Sequence, residues 1–179
     1  MDALKNKKVF SLEYKSFYSE KNTIQIIHPY LLKEYRNRWY IIGYNEEFKG
    51  IRTYCLDRII SINKASKIKF FNSGFNAKKY YKNVIGISVP GSAPVEIHLS
   101  FTKEQAQYVI TQPLHSSQEL VKETKDSVIF KYFLVPNFEF MAQVLGWGEE
   151  VEVVRPEEFK KKVKNLIQRM AVKYKSLPD

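Results

Sequence analysis

Apolar and polar residues alternate in short runs through the first third of this 179-residue chain, and recur at helical spacing in its last third. The early runs predict strands near residues 8–14, 23–28, 38–44, 51–56 and 59–62, rich in Ile, Val, Tyr and Phe and separated by polar turns. So many short strands in one stretch predict a small curled sheet or barrel. "FNAKKYYKNVIG", residues 75–86, predicts a short helix with Asn76 as its cap. "VPGSAP", residues 89–94, then interrupts both periodicities with two prolines, a glycine and a serine. It reads as a linker between a first domain, 1–88, and a second, 95–179.

Beyond the linker the pattern changes. In "VEIHLSF", residues 95–101, Val95, Ile97, Leu99 and Phe101 alternate with Glu96, His98 and Ser100, as in a half-buried strand. Thr102 and Gln105 form a capping-box signature for a helix through Thr111. Strands at 117–123 and 128–135, a helix from Asn137 to Leu145, a strand in "EEVEVV" and a last helix from Pro156 follow. The fold class is therefore α+β, and the order β-α-β-β-α-β is that of a ferredoxin-like unit with an added helix. In that helix Phe159, Val163, Leu166, Ile167, Met170 and Tyr174 fall at spacings of three and four, one apolar stripe with lysines off it.

Charge separates the halves further. Residues 1–85 hold 17 Lys or Arg against 7 Asp or Glu, whereas residues 86–179 hold 12 of each, so the net +10 sits wholly in the first half. A basic half beside a neutral one points to a polyanion or anionic ligand for the first and another task for the second. No apolar run reaches the length of a membrane span, and the opening "MDALKNKKVF" has no apolar core for a secretion signal. With one cysteine, Cys55, no internal disulfide can form, so a cytoplasmic protein is expected.

The basic residues concentrate in "RNRWYIIGYNEEFKGIRTYCLDRI", residues 36–59, which reads as two strands and a short turn. With "EEFKG" as the turn, Asn45 would pair with Ile51 and side-chain parity would sort the hairpin into two faces. One face would carry Arg38, Tyr40, Ile42, Tyr44, Arg52, Tyr54, Leu56 and Arg58, and the other Trp39, Ile41, Gly43, Ile51, Thr53, Cys55 and Ile59 as core. Guanidinium groups beside phenol rings suit phosphate and nucleobase together. The plainer alternative pairs the arginines with Asp57, Glu46, Glu47 or acids of the second domain. The lysines at 64, 67, 69, 78, 79 and 82, with "SKIKFFNSGF", either extend this footprint or are a solvated surface.

Other chemistry finds no pattern to rest on. His28, His98 and His115 are too scattered for a metal-ligand spacing, GxSxG, GxxxxGK[ST] and GxGxxG are missing, and Cys55 lies on the expected core face. No metal, cofactor or catalytic residue is expected. His28 precedes Pro29 and is expected to be extended, its ring satisfying a local hydrogen bond.

"HPYLLKEYRNRWYIIGYNEE" followed by "IRTYCLDRI" resembles the WYL domain, whose Trp-Tyr-Leu signature stands here as Trp39, Tyr40 and Ile41. The resemblance begins at "NKKVFSLEYKSF" and takes in His28, Pro29, Tyr30, Arg38, Arg52, Leu56, Asp57 and Arg58. "FEFMAQVLGWGEEVEVVRPEEFKKKVKNLI", residues 138–167, is similar to the C-terminal extension, WCX, that follows WYL domains in bacterial transcription regulators. The resemblance implies an Sm-like or SH3-like β-barrel, then a ferredoxin-like extension, behind a winged helix-turn-helix. It implies that the barrel binds single-stranded nucleic acid or a nucleotide-like effector and that the extension contributes to a homodimer. Arg38, Arg52 and Arg58 become anion contacts with Tyr40 and Tyr54 beside them, while Tyr14, Ser16 and His28 join the candidate set.

Only "MDALKN" precedes the first expected strand, too short for a helix-turn-helix, so the chain is expected to be a sensor fragment of a longer regulator or a headless member. On that reading a helix-turn-helix elsewhere binds promoter DNA. The second reading is a free-standing Sm-like RNA-binding protein, and the third an enzyme on nucleotides or phosphoesters.

Overall fold

In the computed structural model, which describes residues 5–65 and 67–175, the early alternating runs form one antiparallel sheet. Its strands are β1 (Phe10–Tyr14), β2 (Thr23–Tyr35), β3 (Arg38–Asn45), β4 (Gly50–Cys55) and β5 (Ile59–Lys64), in the order β4-β3-β2-β1-β5. β4 and β5 are the edges, and among the described residues no pairing joins them into a closed barrel. A 3₁₀ turn at Leu56–Arg58 separates these last two strands.

β2 runs well past the expected stop at His28. Pro29 has no amide proton for the ladder, and the strand absorbs it with a bulge: Pro29 lies opposite Gly43, Leu31 opposite Ile42, and Tyr30 is the extra residue. Approach here is so close that a Cβ on Gly43 would stand 2.4 Å from the His28 carbonyl oxygen, so only glycine fits. The β2–β3 hairpin closes through Arg36 and Asn37, both with positive φ (50° and 60°), as a two-residue turn matched to strand twist requires.

The core of this sheet gathers Phe10, Leu12, Tyr14, Ile27, Ile41 and Tyr54. Its other face is covered as well. Ile42, Cys55 and His28 are all buried there, and Phe70 and Phe71, from the stretch after β5, pack edge-on against the His28 ring. The helix expected over 75–86 is a single turn, α1 (Ala77–Tyr80), with Asn76 Oδ1 accepting from the Lys79 amide at 2.9 Å.

Contacts divide the chain into two units, 1–80 and 81–179. The second is built as the order β-α-β-β-α-β-α: β6 (Val95–Thr102), α2 (Lys103–Thr111), β7 (Glu119–Glu123), β8 (Ser127–Leu134), α3 (Phe138–Gly146), β9 (Val151–Arg155) and α4 (Glu157–Lys175). The sheet order is β7-β8-β6-β9. Both helix starts obey their caps: Thr102 accepts from the Gln105 amide and Asn137 from the Phe140 amide. Ile97, Leu99 and Phe101 of β6 meet Phe140, Val144, Phe159 and Val163 of the helices in one apolar core. Along α4 only the first part of the stripe is covered: Phe159 and Val163 are buried, whereas Ile167, Met170 and Tyr174 are exposed.

Candidate functional site

The hairpin register differs by one residue from the expected one. Asn45 pairs with Gly50, not Ile51, because the loop has four residues, with Lys49 at positive φ (48°) and Asn45 Oδ1 accepting from the Phe48 amide at 2.7 Å. The shift moves every β4 side chain to the opposite face relative to β3. Arg38, Tyr40, Ile42 and Tyr44 therefore share a side with Ile51, Thr53 and Cys55, and Arg52 and Tyr54 share the other with Ile41 and Gly43. The single cationic and aromatic face expected of this hairpin does not form. Both sides of the sheet are partly covered, which is how either register keeps apolar residues out of water. Trp39, expected in the core, is 48% exposed and lies beyond the last β3–β4 pair, Tyr40–Cys55.

Part of the expected set is still brought together, through the 3₁₀ turn. Arg58 lies over two rings, its guanidinium carbon 5.5 Å from the Tyr14 centroid and 4.7 Å from that of Phe17. Its Nε is buried and makes no hydrogen bond with the described residues. The Arg58 carbonyl accepts from the Lys15 amide at 3.0 Å, tying this turn to the loop after β1. Arg38 reaches Asp57 of the same 3₁₀ turn at 3.4 Å, both side chains about half exposed. An exposed pair of this kind contributes little stability and leaves the guanidinium accessible. Tyr40 stands opposite Cys55 in the ladder.

The electrostatics mark these residues as one neighbourhood. The Asp57 carboxyl is held below its ordinary range by a hydrogen bond from Cys55 and then by Arg38 and Arg58. Burial pushes the Tyr40 phenol up, Cys55 adds to this, and Arg38 and Arg58 oppose it. Burial also raises Tyr14, whose hydroxyl oxygen accepts from the Cys55 amide at 3.3 Å. Ser16 shapes the adjoining loop: its Oγ accepts from the Tyr18 amide at 3.2 Å, and residues Lys15 to Glu20 enclose a shallow hollow of about 590 Å³. Phe17 and Tyr18 stand exposed on its wall. Sequence reasoning passed over Lys15, Phe17 and Tyr18, although the interleaved "YKSFYSEK" carries the signal.

The remaining candidates lie elsewhere. Tyr54 is buried, its hydroxyl accepting from Asn45 Nδ2 at 2.8 Å and donating to Gln25 at 3.3 Å, and burial lifts its phenol to about 12. Packed edge-on against Tyr14, it offers no ring face to a ligand. His28 is fully buried with both ring nitrogens engaged: Nδ1 accepts from the Phe71 amide at 2.9 Å, so Nε2 donates to Glu46 at 2.6 Å. Arg52 is exposed at the edge strand, over the Phe48 ring at 5.0 Å. Among the described residues no group of three or more His, Cys, Asp or Glu is placed to hold a metal, and no helix is long and apolar enough to cross a membrane.

The family profile of the WYL domain matches residues 1–63 of the chain, and that of the WCX domain residues 93–171. No curated protein matches the chain. Among solved structures, proteasome accessory factor B/C (PafBC) of Arthrobacter aurescens is similar at 17% identity and a TM-score of 0.41, over 99% of this chain and 27% of that one. A CRISPR Cas-related protein is similar at 12% identity and a TM-score of 0.56, over 97% of this chain and 49% of that one. The second likeness is one of fold, and this chain spans half or less of either protein's length.

Proposed function

This chain belongs to the proteins in which a WYL domain precedes a WCX domain, and from that premise we propose that it is the ligand-sensing and dimerising portion of a bacterial transcription regulator. Its first unit is read as an open relative of the Sm or SH3-like barrel, and its second as ferredoxin-like, from the strand order β7-β8-β6-β9. The effector is an anionic single-stranded nucleic acid or nucleotide-like molecule. One observation carries this: Arg58 is laid across the Tyr14 and Phe17 rings beside the accessible Arg38, with Lys15, Phe17 and Tyr18 on the adjoining loop. Cations supply phosphate contacts there, and exposed rings supply stacking.

The effector acts only through different affinity for two arrangements of a dimer. The uncovered stretch of α4 around Ile167, Met170 and Tyr174 supports a homodimer through the second unit. Sedimentation equilibrium tests it, and a monomer at every concentration removes that part of the reading. Promoter binding is assigned to a helix-turn-helix of the whole regulator, for which the coding sequence upstream of this chain is the check. The same reading places the protein in the cytoplasm and gives it no catalytic role, so a bound oligonucleotide should be recovered intact.

The test of the site is fluorescence anisotropy with labelled single-stranded DNA and RNA over a salt series. Arg58→Ala and Arg38→Ala should each weaken binding, and each should flatten the dependence of log K on log salt by about 0.7 for every phosphate that is no longer neutralised. Arg52→Ala should leave that slope near wild type. An unchanged slope in both Arg38→Ala and Arg58→Ala would sink the assignment.

A further inference from the structure

A second hollow in the first unit has a different chemistry. It encloses about 570 Å³, within the range of small-molecule sites, roughly 300–1,000 Å³. Tyr44 and Ile51, paired across β3 and β4, form one wall, and Phe71, Phe75 and Tyr80 form the other. The rings meet around it: Tyr44 and Phe71 lie 4.7 Å apart between centroids, Phe75 and Tyr80 5.2 Å.

The wall is held in place from beneath. The Phe71 amide donates to His28 Nδ1 at 2.9 Å, and the Phe71 carbonyl accepts from the Tyr30 hydroxyl at 2.7 Å. Tyr30 also stacks on Phe75 at 5.4 Å. The buried histidine that contributes no free nitrogen to a ligand thus has another role, fixing one wall of a cavity. Bulk is missing where a ligand would enter, because Gly50, Ser73 and Gly74 line that part, and a Cβ on Gly74 would meet nothing within 4 Å.

The charge around the hollow has one sign. Among the described residues no carboxylate lines it, whereas Lys79 does. Arg52 leaves β4 on the face opposite Ile51 and Tyr44, but its guanidinium turns back to donate to the Ile51 carbonyl at 2.9 Å and opposes the burial that raises the phenol of the lining Tyr80, which places it at the rim. Neither Lys79 nor Arg52 makes an ion pair with the described residues. Ring walls bind a planar π-system, and unneutralised cations at the edge bind a phosphate or carboxylate attached to it.

We propose that this hollow is a binding site for a small planar aromatic anion, its ring against Phe71, Phe75 and Tyr80 and its charge on Lys79 and Arg52. The site is separate from the Arg38–Arg58 neighbourhood and stands without it. A mononucleotide and an aryl carboxylate share the required chemistry.

Isothermal titration of the whole chain with four probes tests the site: adenosine 5′-monophosphate, 2-naphthoate, adenosine and inorganic phosphate. At least one of the two aromatic anions should bind, adenosine should bind about tenfold or more weakly, and phosphate should give no measurable heat. Binding of the mononucleotide alone identifies the natural ligand as a nucleotide, and binding of 2-naphthoate as a broader aryl anion. Ser73→Trp, a change at an exposed lining position, should abolish binding. Lys79→Glu, also exposed, should weaken the anions about tenfold or more while leaving adenosine unchanged. The proposal is overturned if neither anion binds, if adenosine matches the mononucleotide, or if Ser73→Trp binds as wild type. Loss in Arg58→Ala with Ser73→Trp intact would overturn it too, by moving the ligand to the other neighbourhood, whereas failure here with salt-dependent oligonucleotide binding intact leaves the effector face standing.

Discussion

The two sheets of this protein solve the burial problem in different ways. In the second unit the helices meet one face of the sheet, and β6 and β8 send Ile97, Leu99, Phe101, Val128, Phe130, Tyr132 and Leu134 into one apolar core. In the first unit both faces are covered. A smaller apolar cluster lies on one side, Ile42, Cys55 and His28 are buried on the other, and the polar side chains Gln25 and Asn45 are buried with Tyr54 in a hydrogen-bonded set. Alternation identifies a buried face only when the opposite face is wet. Where both are covered, parity no longer says which residues stand together, and turn geometry sets the register instead.

This contrast can be broken most directly in the cores. Phe140 is fully buried and stacked on Phe159 at 5.3 Å, so Phe140→Ala should cost about 3–5 kcal/mol. Ile41, 8% exposed in the smaller cluster, should cost nearer 2 kcal/mol as Ile41→Ala. Urea unfolding with amide exchange followed in each unit reads both, and equal losses would refute the difference between the cores. A smaller effect sharpens the role of buried polarity. Asn45→Ala should cost about 1–3 kcal/mol, because Gln25, the Tyr54 hydroxyl and the Phe48 amide all lose a partner. A cost near zero would mean that the hairpin turn holds its register without that side chain.

The smallest expected effect is on pH dependence. The Glu46 carboxyl is held below its ordinary 4.5 by Lys49 first and His28 second, and Glu96 in the second unit is lowered by its bond to His98 and then by Arg155. Folded values below the unfolded ones mean stability that is fully present above pH 4.5 and is lost as pH falls through the folded values. Glu46→Gln should flatten that acid limb for the first unit alone, and Glu96→Gln for the second. Thermal melts between pH 3 and 6, read unit by unit, decide this; an unchanged limb in Glu46→Gln would show that neither the Lys49 nor the His28 contact holds this carboxyl in solution.

Much of the second unit was legible in advance. Thr102 and Asn137 announce their helices because a cap is a local hydrogen bond, and the Ile97, Leu99, Phe101 alternation works because the partner face is polar. The first unit's strands were legible too, but their pairing was not. Lys49 with positive φ shortens the loop by one residue, a choice that no apolar pattern records, and it carried Arg52 and Tyr54 away from Arg38 and Tyr40. Nor did local pattern announce that Phe71 would fold back over Tyr44 and Phe75 over Tyr30, since their partners lie far away in sequence.

What the amino-acid sequence determined by itself was the list of elements, the α+β class, the basic character of the first half and the family resemblance, all of which rest on local hydrogen bonds, periodicity and composition. Tertiary structure alone decided which cations stand together. Arg58 meets Tyr14 and Phe17 through a 3₁₀ turn, while the Arg52 guanidinium turns back to the Ile51 carbonyl beside a separate aromatic hollow. The physical reason is that strand faces are assigned by pairing between distant segments, and a shift of one residue reverses every side chain at no local cost.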